Sequence, residues 1–236
     1  MAVLKDKHVV ITGGTGALGV AVVKALTDAG AHCHVPAIET SVPADRFPKG
    51  VSVVTNVDLS SEAAVEAYYA KLPALSGVIN IAGGFAWAPI GDSPMSVFQQ
   101  QLSMNFVSCA LSCRAAVGNF RKAGPDGKNR GGHIVNISAR PALNPRQGAN
   151  MTAYTSSKAA VAAFTVALAE ELKGEGISVI ALCPSTIDTP TNRNDMPKAD
   201  HASWVKPAAI AELIVGQLSL ADPINSGSLI PVYGKA

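Results

Sequence analysis

Charge is scarce in this chain: Asp, Glu, Lys and Arg make up 15% of 236 residues and leave a formal net charge of +2. No Lys/Arg cluster is interleaved with aromatics, so the sequence carries no nucleic-acid footprint and the partner to expect is a small molecule. Cysteine is scarce as well. Cys33, Cys109, Cys113 and Cys183 form neither a CxxC pair nor a zinc-ligand spacing, which excludes a disulfide framework or metal site and leaves buried free thiols. Long apolar runs are missing too. The longest near-apolar stretch, 159–169, is too short to cross a bilayer, and Lys5, Asp6 and Lys7 precede the first apolar run. The reading is no membrane span, no secretory signal and a cytoplasmic location. What is abundant is hydrophobic residues, at 48%, enough for one domain over 1–236 with a sizeable core.

Short Val/Ile-rich runs at 8–12, 32–38, 51–54, 77–81, 133–137, 177–182 and 228–232 alternate with helical patterns at about 17–29, 60–71, 94–120, 152–173 and 207–219. Seven strands alternating with helices predict an α/β protein whose parallel sheet is covered on both faces. Residues 39–50 hold two prolines and a glycine without apolar periodicity, so a loop is expected where a crossover helix would stand. The polar, glycine-rich stretch 121–132 reads as an exposed turn.

Between the first strand and first helix runs Thr12-Gly13-Gly14-Thr15-Gly16-Ala17-Leu18-Gly19. Glycines at 14, 16 and 19 let the backbone turn tightly and approach a pyrophosphate, whose charge the helix N-terminus favours. This predicts a dinucleotide site in a Rossmann-type doubly wound sheet. Its cofactor is left open between NAD and NADP: no Asp closes the second strand, Glu39 serves only if that strand runs longer, and Arg46 and Lys49 are the first cations beyond it.

Tyr154 and Lys158 are four residues apart at the start of an apolar helix, which puts phenol and ammonium on one face. A phenol titrates near 10, and an adjacent cation lowers that value, so Tyr154 suits proton transfer to a carbonyl. Ser138 ends the fifth strand at the carboxyl edge of the sheet, where its hydroxyl can hold the substrate oxygen. Asn105 is a polar amide within the apolar part of helix 94–120.

In order along the chain, these motifs resemble the short-chain dehydrogenases/reductases. Thr12, Gly13, Ala17 and Gly19 are similar to that family's TGxxxAxG turn, Asp58-Leu59 to its adenine-contacting pair, and Asn80-Ile81-Ala82-Gly83 to its NxAG strand end. Asn105, Ser138, Tyr154 and Lys158 match its catalytic tetrad. The resemblance implies a nicotinamide cofactor bound by Gly13, Thr15, Gly16, Ala17, Leu18, Gly19, Asp58, Leu59, Asn80, Ala82, Gly83, Tyr154, Lys158, Pro184, Ile187 and Thr189. It also implies that Lys158 holds the nicotinamide ribose and that Asn105 orders a proton-relaying water. The segment 184–189 resembles the family's PGxxxT, with Ser185 in place of glycine, and the stretch between Ser138 and Tyr154 is longer than usual, enlarging the substrate loop 140–151. Ala37 stands where NAD-preferring members carry Asp.

Within the family, the stretch from Ile187 to Trp204 is similar to the lid of dihydropteridine reductases, as is 226–230, and a substrate lid is expected at about 190–206. Trp87, Arg140, Met196 and Trp204 are then the expected substrate contacts, Trp87 by stacking on a flat bicyclic ring. Those reductases lack a serine at the position of Ser138, and a complete tetrad suits ketone or alcohol chemistry. Two functions therefore compete: an oxidoreductase for a small carbonyl, alcohol or quinonoid dihydropterin, and a nucleotide-binding sensor or assembly subunit without turnover. Helix 152–173 is apolar nearly all round, which implies a homodimer or homotetramer paired through it, or cover by helix 94–120 of the same chain.

Overall fold

Val9, Val10 and Ile11 are fully buried in β1 (His8–Thr12), as β-branched residues covered on both sides of a central strand should be. The computed structural model describes residues 3–122 and 131–235. Around β1 lie β2 (His32–Pro36), β3 (Ser52–Val54), β4 (Gly77–Asn80), β5 (Gly132–Ile137), β6 (Ile177–Pro184) and β7 (Leu229–Val232). Every pairing is parallel, in the order β3-β2-β1-β4-β5-β6-β7. All seven expected strands form. The order reverses between β1 and β4, so a crevice opens outside their carboxyl ends, where such sheets take their ligands.

Helices cover both faces. α1 (Ala17–Asp28) and α8 (Pro207–Leu218) pack with the apolar core of one face, around Val22, Leu26, Ile210 and Ile214. The other face carries α2 (Glu62–Tyr69), a long helix made of α3 (Met95–Leu102) and α4 (Ser108–Phe120), and α6 (Thr152–Glu171), around Tyr69, Cys113, Phe120 and Val161. Two short helices not expected from the sequence, α5 (Arg140–Leu143) and α7 (Pro190–Asp195), lie in the loops after β5 and β6. Both begin on Pro-containing turns, too short for an apolar period to announce them. All four cysteines are buried and free.

Loop 39–50 is helix-free, as expected; Phe47 anchors it by packing on the α1-side core, and this brings Arg46 to the glycine-rich turn. Most of the stretch read as an exposed turn, 123–130, lies outside the described residues. On α6, Phe164 meets Phe106 edge-on at 5.8 Å, so the neighbouring long helix covers part of it, while Ala163, Val166 (44%) and Ala167 stay exposed.

Candidate active site

Thr12 closes β1 and joins it to β4: its hydroxyl accepts from the backbone N–H of Ile81, at 3.1 Å, and of Ala82, at 3.2 Å. This draws the two strand ends together until no room for a side chain is left. A Cβ on Gly13, whose φ is +64°, would lie 2.7 Å from the Ala82 nitrogen, and one on Gly19 would lie 2.1 Å from the Gly13 carbonyl oxygen. The glycines are thus required by backbone contact. Beside them opens a groove of about 650 Å³, lined by Gly13, Thr15, Gly16, Ala17, Leu18, Gly19, Asp58, Leu59, Ala82, Gly83 and Thr189. Its dimensions and its floor of glycine backbone beside the N-terminus of α1 fit a dinucleotide.

Of the other residues expected at the cofactor, Asn80, Tyr154, Lys158, Pro184 and Ile187 are not part of that lining. Asn80 turns into the sheet, where its amide donates to Asn136, at 2.9 Å. Thr189 reaches the groove, and its hydroxyl also caps α7 by accepting from the Asn192 N–H.

Glu39 lies beyond the end of β2, yet hydrogen bonds to the neighbouring strand continue past Pro36, from Ala37 N–H to Val54 and from Asn56 N–H to Glu39. The strand therefore runs on in effect, and Glu39 reaches the groove wall, where its carboxylate accepts from the Thr15 hydroxyl at 2.7 Å. Arg46 donates to the Thr15 carbonyl.

Asn105 sits in a π-helical turn, Ser103–Val107, joining α3 to α4. Such turns occur often at functional sites. Its amide donates to the Gly84 carbonyl at 3.0 Å and accepts from the Gly84 N–H at 3.1 Å, with Gln101 and Ser157 oxygens each 3.1 Å from its nitrogen. The side chain is committed to protein partners and fixes the backbone after Gly83. Gln101, four residues earlier on the same helical face, and Ser157 were missed in the sequence; the four-residue spacing is the signal that would have found Gln101.

The Ser138 hydroxyl donates to the Lys158 carbonyl at 2.8 Å, which ties the end of β5 to α6. Lys158 is buried and its ammonium donates to the Ile137 carbonyl at 2.9 Å. Burial pulls its pKa down to about 8. Among the described residues the Tyr154 hydroxyl has no hydrogen-bond partner, and its ring meets Phe85 edge-on at 4.9 Å. Burial pushes the phenol up to about 12, which corrects the lowered value expected from the Lys158 spacing. The physical reason is that the ammonium is turned to Ile137. The loop bearing Phe85 is held to the start of α6 by Ala88 N–H donating to Asn150, at 2.8 Å.

Of the expected substrate contacts, Trp87 and Met196 are 62% and 41% exposed, on the loop after β4 and the lid respectively. Arg140 begins α5 and lies over the Tyr233 ring. Trp204, at 7% exposure, is packed against His201. Asp188 pins the segment 190–206, where a lid was expected. Arg193 donates to its carboxylate at 2.5 and 2.9 Å, and Lys206, at the far end, stands 3.4 Å away.

The Arg193 hydrogen bonds hold the Asp188 pKa down at about 2, below its ordinary 3.8. A depressed carboxyl pKa stabilises the folded chain above the unfolded value and ceases to as pH falls through the folded one. Asp188→Asn is therefore expected to lower the melting temperature by a constant margin at pH 5–7, a margin that closes as pH drops from about 4 to 2. Thermal unfolding of both proteins across that range checks it; a margin independent of pH throughout would exclude the pin.

Residues 7–200 match the short chain dehydrogenase family model. The chain is 30% identical to "Probable oxidoreductase EphD" of Mycobacterium tuberculosis over 193 residues, 78% of this chain and 31% of that one, so it spans about a third of that relative's length. It is also 30% identical to ipsdienol dehydrogenase of Ips pini over 207 residues, covering 82% of this chain and 79% of that protein. In fold it resembles the solved structure titled "Crystal structure of gox2181", with a TM-score of 0.85 over 98% of this chain and 96% of that one, at 21% identity. With the parallel sheet and the glycine-rich turn now placed, the chain belongs to the short-chain dehydrogenase/reductase family of oxidoreductases, whose cofactor is NAD or NADP.

Proposed function

We propose that this protein is a nicotinamide-dependent reductase of a small carbonyl compound, or dehydrogenase of the corresponding alcohol, with Tyr154 as its acid and base. The observation that carries the reading is the Tyr154 hydroxyl itself, which lacks a partner among the described residues, on a helix tied by Ser138 to the sheet edge. When bound, the nicotinamide supplies the hydride. Tyr154 gives a proton to the substrate oxygen in reduction and takes one back in oxidation. Ser138, at the same sheet edge, donates to that oxygen once its hydroxyl turns from the Lys158 carbonyl. Lys158, buried and without a carboxylate partner among the described residues, supplies the positive charge that favours a phenolate when its ammonium turns from Ile137. Phe85, edge-on to the Tyr154 ring, gives the site an aromatic neighbour suited to an apolar or planar substrate, and the relative named ipsdienol dehydrogenase supports alcohol chemistry. The quinonoid dihydropterin suggested by the lid is the planar alternative. Consumption of NADH and NADPH with small ketones and with quinonoid dihydropterin, in wild type and Tyr154→Phe, tests the reading.

NADH is the proposed preference, because the Glu39 carboxylate stands on the groove wall beside the turn, where it suits a ribose diol and repels a 2′-phosphate. Removing that charge in Glu39→Gln is expected to raise kcat/KM for NADPH relative to NADH about tenfold, equivalent to ~1.4 kcal/mol of repulsion. An unchanged ratio, or a wild type that already prefers NADPH, would refute the assignment to Glu39.

A further inference from the structure

We propose that the substrate carries an anionic group, a carboxylate or phosphate, and that Arg140 binds it; the inference rests on the reductase reading above and names the substrate class of that same site. Ala139 is fully extended, with φ −158° and ψ 158°. Its neighbours Ser138 and Arg140 therefore leave the chain on the same side, their Cα atoms within about 7 Å. The guanidinium thus starts from the edge of the sheet that carries the Ser138 hydroxyl.

Arg140 is half-buried, yet among the described residues no carboxylate pairs with it and no acceptor takes a hydrogen bond from its side chain. Its donors are thus open to an anion from solvent. Its one marked contact is the face of Tyr233, 4.6 Å from guanidinium carbon to ring centroid. A guanidinium over a ring keeps its five N–H donors at its rim, arranged for two parallel bonds to a carboxylate or phosphate.

The backbone that bears this ring is tied down. Tyr233 follows β7, and its carbonyl accepts from the Ser185 hydroxyl at 2.9 Å. Ser185 stands where the family's segment has glycine, so the substitution supplies the hydroxyl that ties the C-terminal segment over the end of β6. Arg140, Ser185 and Tyr233 thereby join the carboxyl ends of β5, β6 and β7 in one support at the substrate edge.

The test has two arms. In the first, kcat/KM is measured for phenylglyoxylate against its methyl ester, and for dihydroxyacetone phosphate against dihydroxyacetone. Wild type is expected to favour one of the charged partners, and Arg140→Gln to reduce that preference by about 10- to 100-fold, the range for a lost charged hydrogen bond, with Arg140→Lys restoring part of it. Which pair shows the effect distinguishes carboxylate from phosphate. In the second, calorimetry follows benzoate and inorganic phosphate binding to the NAD-saturated protein, without turnover. Binding that is lost in Arg140→Gln supports the site. Equal binding in both proteins, or a charged-to-neutral ratio unmoved by the substitution, overturns it while leaving the reductase reading intact. Absence of turnover with every acceptor, alongside Arg140-dependent benzoate or phosphate binding, would overturn the reductase reading and keep the anion site.

Discussion

Tyr154→Phe loses turnover by about a thousandfold and keeps both its fold and its nucleotide affinity. The magnitude is the middle of the range for a positioned proton donor. Two structural facts make the result clean. The hydroxyl has no hydrogen-bond partner among the described residues, so removing it leaves no buried group unpaired, and the edge contact with Phe85 is a ring contact that phenylalanine preserves. The groove lining does not include Tyr154, so nucleotide binding is expected to change little. In wild type, with the phenol pushed up to about 12, alcohol oxidation should rise with pH because it needs the phenolate, whereas carbonyl reduction needs the phenol and should stay level across neutral pH. Nucleotide oxidation measured over pH 6–10 in both proteins checks these outcomes. Unaltered chemistry in the Phe variant would instead favour a nucleotide sensor, and the reductase reading would fall.

Gly19→Ala is expected to weaken dinucleotide binding by at least about 100-fold and to destabilise the fold by about 1–3 kcal/mol, the range for forced overpacking. The added methyl would lie 2.1 Å from the Gly13 oxygen and 2.6 Å from the Gly14 Cα. Those are backbone atoms, so relief requires displacing the turn that forms the floor of the groove. A matched control is Gly216→Ala at an exposed position of α8, where an added Cβ meets no atom within 4 Å beyond its own helix turn. There the helix should gain about 0.5–1 kcal/mol and nucleotide binding should be unaffected. Calorimetric binding and thermal unfolding of the two variants decide it: equal affinities would mean that the turn yields without cost and that close backbone approach is not what binds the cofactor.

The site was legible to different depths. Seven apolar runs of strand length and a glycine-rich turn after the first are local signals, and they placed the sheet correctly and put the turn beside a groove at its carboxyl edge. Tyr154 and Lys158 share a helical face by spacing alone. Their electrostatics did not follow from spacing, because the carbonyl that takes the Lys158 ammonium belongs to Ile137, 21 residues away. Glu39 illustrates the same limit. Its use depended on whether β2 continued past Pro36, and that was settled by hydrogen bonds to residues 54–57 on the neighbouring chain segment. Trp204, one of the expected substrate contacts, packs on His201 in a segment whose two ends meet at Asp188 through its ion pairs with Arg193 and Lys206.

What the sequence by itself determined is the alternation of strands and helices, the glycine turn and the family, since apolar period and short-range spacing act within a few residues of one another. Tertiary structure alone decided which polar groups are already taken. Hydrogen bonds and ion pairs are short-ranged in space but indifferent to separation along the chain. Thus Asn105 is committed to Gly84, Asp188 is held between Arg193 and Lys206, and Arg140 reaches Tyr233 across three strand ends with no hydrogen-bond acceptor among the described residues.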